Sequence, residues 1–417
     1  MNRKNLSFGV EYFCYFMVAA GYFLFPWKLN QGIALVGIGF LLWLFNNKKN
    51  PMLKEWIKDP LTILLVFFLM VCIVRTQGLP AEWSASVADS ISRYYKYIFS
   101  IIAIAVMRKP VLRKFAMNAF FVSVFIIVTS MHLNIFWNLP WSNPTLKGWG
   151  HDQTVVGDYI TQNLFVNIFI ILALDFCIKS KNIYSKIFFG IAALMGAHAM
   201  LFLSIGRTGY LLLTISLVSY AFWAIHSKWK WLALILIPIA ACLAIYSSEY
   251  ALQRVQQAVT EARNAVSSIE GDEIPDNTSI GARIYMWNQS WNIISQKPIT
   301  GWGVGSYPQR WCETVPEVWC NETAKHHPHN QYLMFWMELG LTGLLIYIST
   351  IIYLTYRGMR DKVNGGVLVA LMMMLIVDGF INSPLYVRRE YQLFLLMIPL
   401  IYSCLNTKSD IEVGKKS

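Results

Sequence analysis

The sequence predicts an all-α polytopic membrane protein, and three observations carry that prediction. Of its 417 residues 56% are hydrophobic and only 14% charged, against about 25% charged in a soluble domain. Apolar runs recur along the whole length and approach the ~20 residues that an α-helix needs to cross a bilayer. They are continuous, whereas the strands of an outer-membrane barrel alternate apolar and polar residues over ~10 positions. Finally, basic residues gather in short segments between alternate runs, as lipid-embedded helices with a fixed orientation require.

Twelve spans follow in order: 9–26, 31–46, 61–76, 91–107, 115–135, 160–178, 187–204, 208–226, 231–247, 332–355, 364–382 and 390–405. Alternate connections hold Lys48, Lys49, Lys54 and Lys58, then Arg108, Lys109, Arg113 and Lys114. Later ones hold Lys179, Lys181 and Lys186, then Lys228 and Lys230, then Arg357, Arg360 and Lys362. These connections and both termini are therefore expected in the cytoplasm. Arg3 and Lys4 precede an apolar run that contains Glu11 and has no convincing small-residue cleavage site before Pro26. The first helix is expected to stay attached as an anchor.

Three regions result: 1–247 with spans one to nine, 248–331 as an outer loop or cap, and 332–417 with the last three spans and a short tail. A shorter outer loop, 136–159, is rich in Trp, Pro and Gly. Inside the cap, Tyr250 to Val266 places Leu252, Val255, Val259, Ala262 and Val266 at helical spacing, a helix suited to a membrane surface. A second helix is expected from near Ser279, ending before Pro298. The formal charge of +12 lies in inter-helix loops without a nucleic-acid motif, so nucleic acid is not an expected partner.

Five cysteines, Cys14, Cys72, Cys177, Cys242 and Cys404, lie in apolar runs and read as small hydrophobes. Cys312 and Cys320 lie in the cap, where an oxidising compartment would join them as a disulfide. Candidate chemistry gathers on the same outer side. His329 stands where the cap runs back into the tenth span. It fits a general base acting on a hydroxyl, or a plain helix cap. His326, His327 and Glu322 stand near it, yet no known zinc spacing is reproduced, and neither metal nor cofactor is expected. Arg207, in a very short outer turn, and Arg283, in the second cap helix, offer planar donor forks suited to phosphate oxygens. Asn330, Arg310, Arg388, Glu338 and Asp378 are possible supporting residues. Gly301-Trp-Gly303-Val-Gly305 lacks the βαβ context of a dinucleotide loop and reads as a turn letting backbone approach a substrate. No Asp-x-Asp or Asp-Asp motif marks a divalent-metal glycosyltransferase.

His329-Asn330 followed by nine residues and Gly340-Leu-Thr-Gly343 resembles the signature of bacterial O-antigen ligases. Pro298-Ile-Thr-Gly301-Trp-Gly303-x-Gly305-x-Tyr307 and Ser204-x-Gly206-Arg207-x-Gly209 are similar to two further blocks of the ligase–polymerase superfamily. The resemblance spans roughly 204–345. It implies a GT-C-type membrane glycosyltransferase with a helical periplasmic cap, in the bacterial inner membrane. Its donor would be an undecaprenyl-diphosphate-linked glycan and its acceptor lipid A–core, with transfer at the periplasmic face and no metal. By motif, His329 would activate the acceptor hydroxyl while Arg207 and Arg283 bind the donor diphosphate. An O-antigen polymerase and a protein O-oligosaccharyltransferase share much of this pattern. A transporter or flippase, the alternative from another class, would show paired inverted repeats with broken midplane helices.

Overall fold

The computed structural model describes residues 3–47, 52–143, 148–149, 152–247, 249–271, 273–320 and 326–405, with the side chains of 3–8, 52–54, 249–251 and 388 outside the described set. Among these residues the secondary structure is helical, without a strand. The first half builds α1 (Arg3–Leu24), α2 (Leu29–Asn46), α3 (Met52–Ile57), α4 (Pro60–Val74), α5 (Ser84–Tyr94), α6 (Tyr97–Val106), α7 (Pro110–Leu133) and α8 (Tyr159–Lys179). Next come α9 (Ile183–His198), continued by a π turn over Ala199–Leu203, α10 (Arg207–Ala224) and α11 (Trp229–Ser247). The cap holds α12 (Glu249–Glu270), α13 (Ser279–Gln296) and α14 (Tyr307–Thr314), and the chain closes with α15 (Gln331–Arg360), α16 (Gly366–Ile381) and α17 (Arg388–Tyr402).

Polar residues set many of these starts. Asp59, Asp158, Asn182, Thr278 and Asn330 each accept a backbone N–H at the N-terminus of α4, α8, α9, α13 and α15. Such caps satisfy donors that the first helical turn leaves free.

Helix occupies each of the twelve expected segments, but six helices are long and apolar enough to cross a membrane: Leu29–Asn46, Pro110–Leu133, Tyr159–Lys179, Ile183–Leu203, Trp229–Ser247 and Gln331–Arg360. Gly9–Leu24, Pro60–Val74 and Gly366–Ile381 are shorter apolar helices. The expected span 91–107 is not one helix. It breaks at Tyr95 and Lys96, where the Lys96 ammonium donates to the Tyr391 hydroxyl at 2.7 Å. The part before the break, α5, is rich in serine and carries Asp89 and Arg93, so the run loses its apolar character there.

The bundle has a centre and a rim. Helix α8 is covered nearly all round, and even its Thr161, Gln162, Asn163 and Asn167 are buried, as an inner helix must be. Helix α11 buries no residue at all. Contacts also sort the helix ends. Arg108 pairs with Asp59 at 2.9 Å, Lys109 with Glu11, and Arg113 donates to the Ser403 carbonyl. The start of α7 and the ends of α6 and α17 therefore meet the start of α4 and the first half of α1. At the other end, Arg75 at the close of α4 donates to the Gly301 carbonyl at 3.0 Å, and Asn330 before α15 donates to Phe380 near the close of α16 at 3.1 Å. The cap helices and the candidate residues occupy that second end.

Candidate functional site

Asn330, not His329, caps α15. Its side-chain oxygen accepts the N–H groups of Tyr332 and Leu333, both at 3.0 Å, while its amide donates to the Phe380 carbonyl. The capping role open to His329 in the sequence is thus taken by its neighbour. His329 has a φ of +49°, a left-handed conformation uncommon outside glycine. Its carbonyl accepts the Trp287 indole N–H from α13 at 3.1 Å, and its N–H donates to His327 Nδ1 at 3.3 Å. The backbone is held from both sides, and the imidazole Nδ1 is buried without a hydrogen-bond partner among the described residues.

That ring stays neutral. Burial holds His329 far below the ordinary imidazole range, at about 3, and the Arg283 positive charge adds to the depression, while the Asn382 side chain opposes it. The residue is partly exposed, yet the protein packed around it penalises the charged form. His327 lies 4.2 Å away, centroid to centroid, and is also pushed well below its usual value by burial, then by His329, Arg93, His326 and Arg283.

Arg283 projects from α13, whose start Thr278 fixes by accepting from the Gly281 N–H at 3.2 Å. Burial lowers its affinity for a proton. Tyr159, Asp378 and Glu390 act on it in the opposite sense, and Arg207 reinforces the lowering. His329, Arg283 and Arg207 therefore share one neighbourhood. Arg207 opens α10. Its two terminal nitrogens lie 3.4 and 3.5 Å from the Glu261 carboxylate of α12, a long contact for an ion pair. Glu261 also accepts the Ile280 N–H at 3.1 Å. One acid thus joins the first turn of α10 to the helix that carries Arg283.

The glycine block at 298–307 packs against a break in α15. Helix α15 is interrupted at Gly340, at φ +70° and ψ −169°, a region that essentially only glycine enters. Residues 299–303 lie along the interruption. Leu341 N–H donates to the Ile299 carbonyl at 3.0 Å, Trp302 N–H to Met337 at 2.7 Å and Gly303 N–H to Glu338 at 3.0 Å. A Cβ on Gly301 would strike the backbone of Gly340 and Met337, and one on Gly340 would strike Ile299 and Thr300. The glycines let backbone approach backbone. Glu338 belongs to the same joint: its carboxylate accepts from the Tyr94 hydroxyl at 2.6 Å and from the Gly305 N–H at 2.9 Å. It is a structural anchor, fully buried.

The other supporting candidates divide. Asp378 is buried, its two oxygens lack hydrogen-bond partners among the described residues, and it lies within the field of Arg283. Glu390, absent from the sequence-based set, accepts the Asn382 amide at 3.0 and 2.8 Å. Arg310 pairs with Glu313 at 2.6 Å and lies over the rings of Trp302 and Trp83, so aromatic packing and a surface acid occupy it. The Arg388 side chain and Glu322 lie outside the described residues. Among the described residues no three His, Cys, Asp or Glu side chains form a metal-binding group. Cys312 and Cys320 are joined by a disulfide, with their Cα atoms 4.9 Å apart. An apolar cavity with about 60 Å³ of free space sits between α4, α6, α15, α16 and α17, lined by Leu61, Phe68, Leu354 and Phe394 among others. It holds none of the candidates.

Glu261, Asn382, Glu390 and Arg93 had no local signal. Arg93 lies inside a span the sequence read as apolar, yet it donates to the Tyr386 carbonyl at 3.1 Å and contributes to the field at His327.

Comparison with known proteins gives two results. The O-antigen ligase family model matches residues 190–348, a stretch that includes Arg207, Arg283, His329, Gly340 and Gly343. It supports the O-antigen ligase/polymerase superfamily for this chain. An uncharacterized protein of Haemophilus influenzae is 28% identical over 188 residues, which cover 44% of this chain and 46% of that relative. The match therefore spans about half of the relative's length.

Proposed function

With the ligase/polymerase superfamily as premise, we propose that the protein is an O-antigen ligase. It moves an O-polysaccharide from undecaprenyl diphosphate to a sugar hydroxyl of lipid A–core, at the periplasmic face of the bacterial inner membrane. The observation that carries the reading is the neutral imidazole of His329, its Nδ1 without a hydrogen-bond partner among the described residues, held on a strained backbone within the field of Arg283, which in turn feels Arg207. A general base must be deprotonated and free to accept. Two neighbouring guanidinium groups suit a leaving group that departs with both charges of a diphosphate.

In this scheme the acceptor hydroxyl oxygen attacks the anomeric carbon and its proton passes to His329. The bond from that carbon to the diphosphate oxygen breaks, and the electron pair leaves with the diphosphate against Arg283 and Arg207. A single in-line displacement inverts the anomeric centre. Arg207 must loosen from Glu261 to take part, and the long 3.4 Å contact suits such an exchange. Donor binding also brings negative charge towards His329, which raises its affinity for a proton and makes it a better base.

The test is transfer by purified protein from lipid-linked glycan to lipid A–core in excess EDTA. His329→Ala is expected to abolish transfer while donor binding persists. Arg207→Lys and Arg283→Ala are expected to weaken donor binding and transfer together, because a point ammonium cannot replace the planar fork. Wild-type rates in His329→Ala, or loss of wild-type transfer in EDTA, overturn the scheme. A deletion strain separates ligase from polymerase. Bare lipid A–core with accumulated lipid-linked polymer is the ligase result; core bearing a single repeat unit is the polymerase result.

A further inference from the structure

We propose that the groove between α12 and α13 is a subsite for sugar hydroxyls that adjoins the arginine pair. The groove offers about 100 Å³ of free space. Its walls carry Gln257, Thr260, Glu261, Asn264, Asp276 and Thr278 over a floor of Ala265 and Gly281. Amides, hydroxyls and carboxylates alternate there, without a lysine or an arginine in the lining.

That donor and acceptor set selects among ligand classes. An anion would meet two carboxylates and no cation. The exposed lining is mostly carbon, yet seven of its nine residues are polar, so a lipid tail would lie against groups it cannot satisfy, whereas a sugar has C–H faces for the carbon and hydroxyls for the polar tips. A divalent cation needs about six oxygen ligands, whereas Glu261 is already committed to Arg207 and the Ile280 N–H, leaving Asp276 as the other acid. A polyol fits. Each hydroxyl both donates and accepts, an amide answers with one group of each kind, and a carboxylate accepts. Part of the wall is fixed in advance: Thr278 Oγ1 accepts from Gly281, Gln257 Oε1 accepts from Arg254 at 2.9 Å, and Thr260 Oγ1 donates to the Gln256 carbonyl at 3.1 Å. Asn264 and Asp276 are exposed along the opening.

Glu261 makes the groove and the arginine site continuous. One face of its carboxylate meets Arg207, and the same residue forms part of the groove wall. A glycan whose diphosphate rests on Arg207 would lead its first sugars past Glu261 into the groove. An acceptor glycan entering from the other side would present the same hydroxyls, so the chemistry is shared by two sources. This inference rests on the ligase reading for its substrate class, and its test has a readout that does not require transfer.

The full-length protein in nanodiscs is titrated with delipidated O-polysaccharide, lipid A–core oligosaccharide and undecaprenyl diphosphate, for wild type, Asn264→Leu and Asp276→Ala. Losing one hydrogen bond to a hydroxyl is expected to weaken glycan binding about tenfold, with undecaprenyl diphosphate binding and the melting temperature unchanged. Weakening for the O-polysaccharide assigns the subsite to the donor, and weakening for the core oligosaccharide assigns it to the acceptor. Unchanged binding of both glycans in both folded variants overturns the subsite, whatever His329→Ala does to transfer. Wild-type transfer by His329→Ala would instead remove the ligase mechanism and leave these binding results standing. If Asn264→Leu misfolds, Asn264→Asp takes its place, keeping an acceptor and removing the donor.

Discussion

At the scale of single residues, His329 is held in an uncommon backbone conformation with its ring depressed by burial and by Arg283. The depressed value has a definite sign in kinetics. The base form is the deprotonated form, so a lowered pKa keeps the base available to lower pH. For transfer, kcat/KM reports the free enzyme. It is expected to stay flat from pH 7.5 through 6, where an ordinary histidine near 6.5 would already have lost more than half. A half-maximal point near 6.5 in the kcat/KM profile would show that His329 is not the base, or that its ring is solvated. The positions of His329, Arg207 and Arg283 were legible because short motifs mark them. Their partners were not. Glu261 lies 54 residues from Arg207 in sequence, and nothing local to either predicts the meeting. Asn330 is a milder case: an asparagine before an apolar run is an ordinary capping signal, and its oxygen does accept the first N–H groups of α15.

At the scale of elements, the two glycine blocks form one joint. Gly301 and Gly340 face each other backbone to backbone, and the hydrogen bonds of residues 299–303 fill the gap that the interruption opens in α15. Gly340→Ala forces a side chain into the Ile299 carbonyl at a φ and ψ where non-glycine residues are strained by about 1–3 kcal/mol. The variant is expected to lower the melting temperature and to reduce transfer, since α15 begins one residue after Asn330. Thermal unfolding in detergent checks the first part. An unchanged melting temperature would mean that the joint does not stabilise the fold. The sequence made the helices visible through their apolar runs, and a cap helix from near Ser279 to before Pro298 was legible from its pattern. It did not reveal the interruption at Gly340, because glycine inside an apolar run is compatible with continuous helix. Nor did it show the break at Tyr95–Lys96, where composition averaged over 91–107 hid the polar half.

At the scale of the whole molecule, class was legible from composition, while the number of crossings was not. Several helices, α6 at ten residues among them, are too short to span ~30 Å at 1.5 Å per residue, and hydropathy alone does not say how short helices combine. Orientation is a separate question, which basic residues answer by where they fall. With Arg108, Lys109 and Arg113 at one end of the bundle and the cap at the other, a cysteine placed at Ser267 is expected to react with a membrane-impermeant thiol reagent in spheroplasts, and one placed at Lys362 is not. The reverse pattern would put the cap in the cytoplasm and remove any lipid A–core acceptor from its reach. The Arg207–Glu261 pair has a consequence at this scale as well. The bilayer around such a protein teems with phosphodiester headgroups, each bearing one negative charge. Against an arginine that already has a carboxylate for company, such a headgroup brings no more than the acid it would displace. A diphosphate brings more. On the ligase reading proposed above, the resident acid would act as a sieve, turning away the crowd of common lipids and yielding to the rare diphosphate carrier.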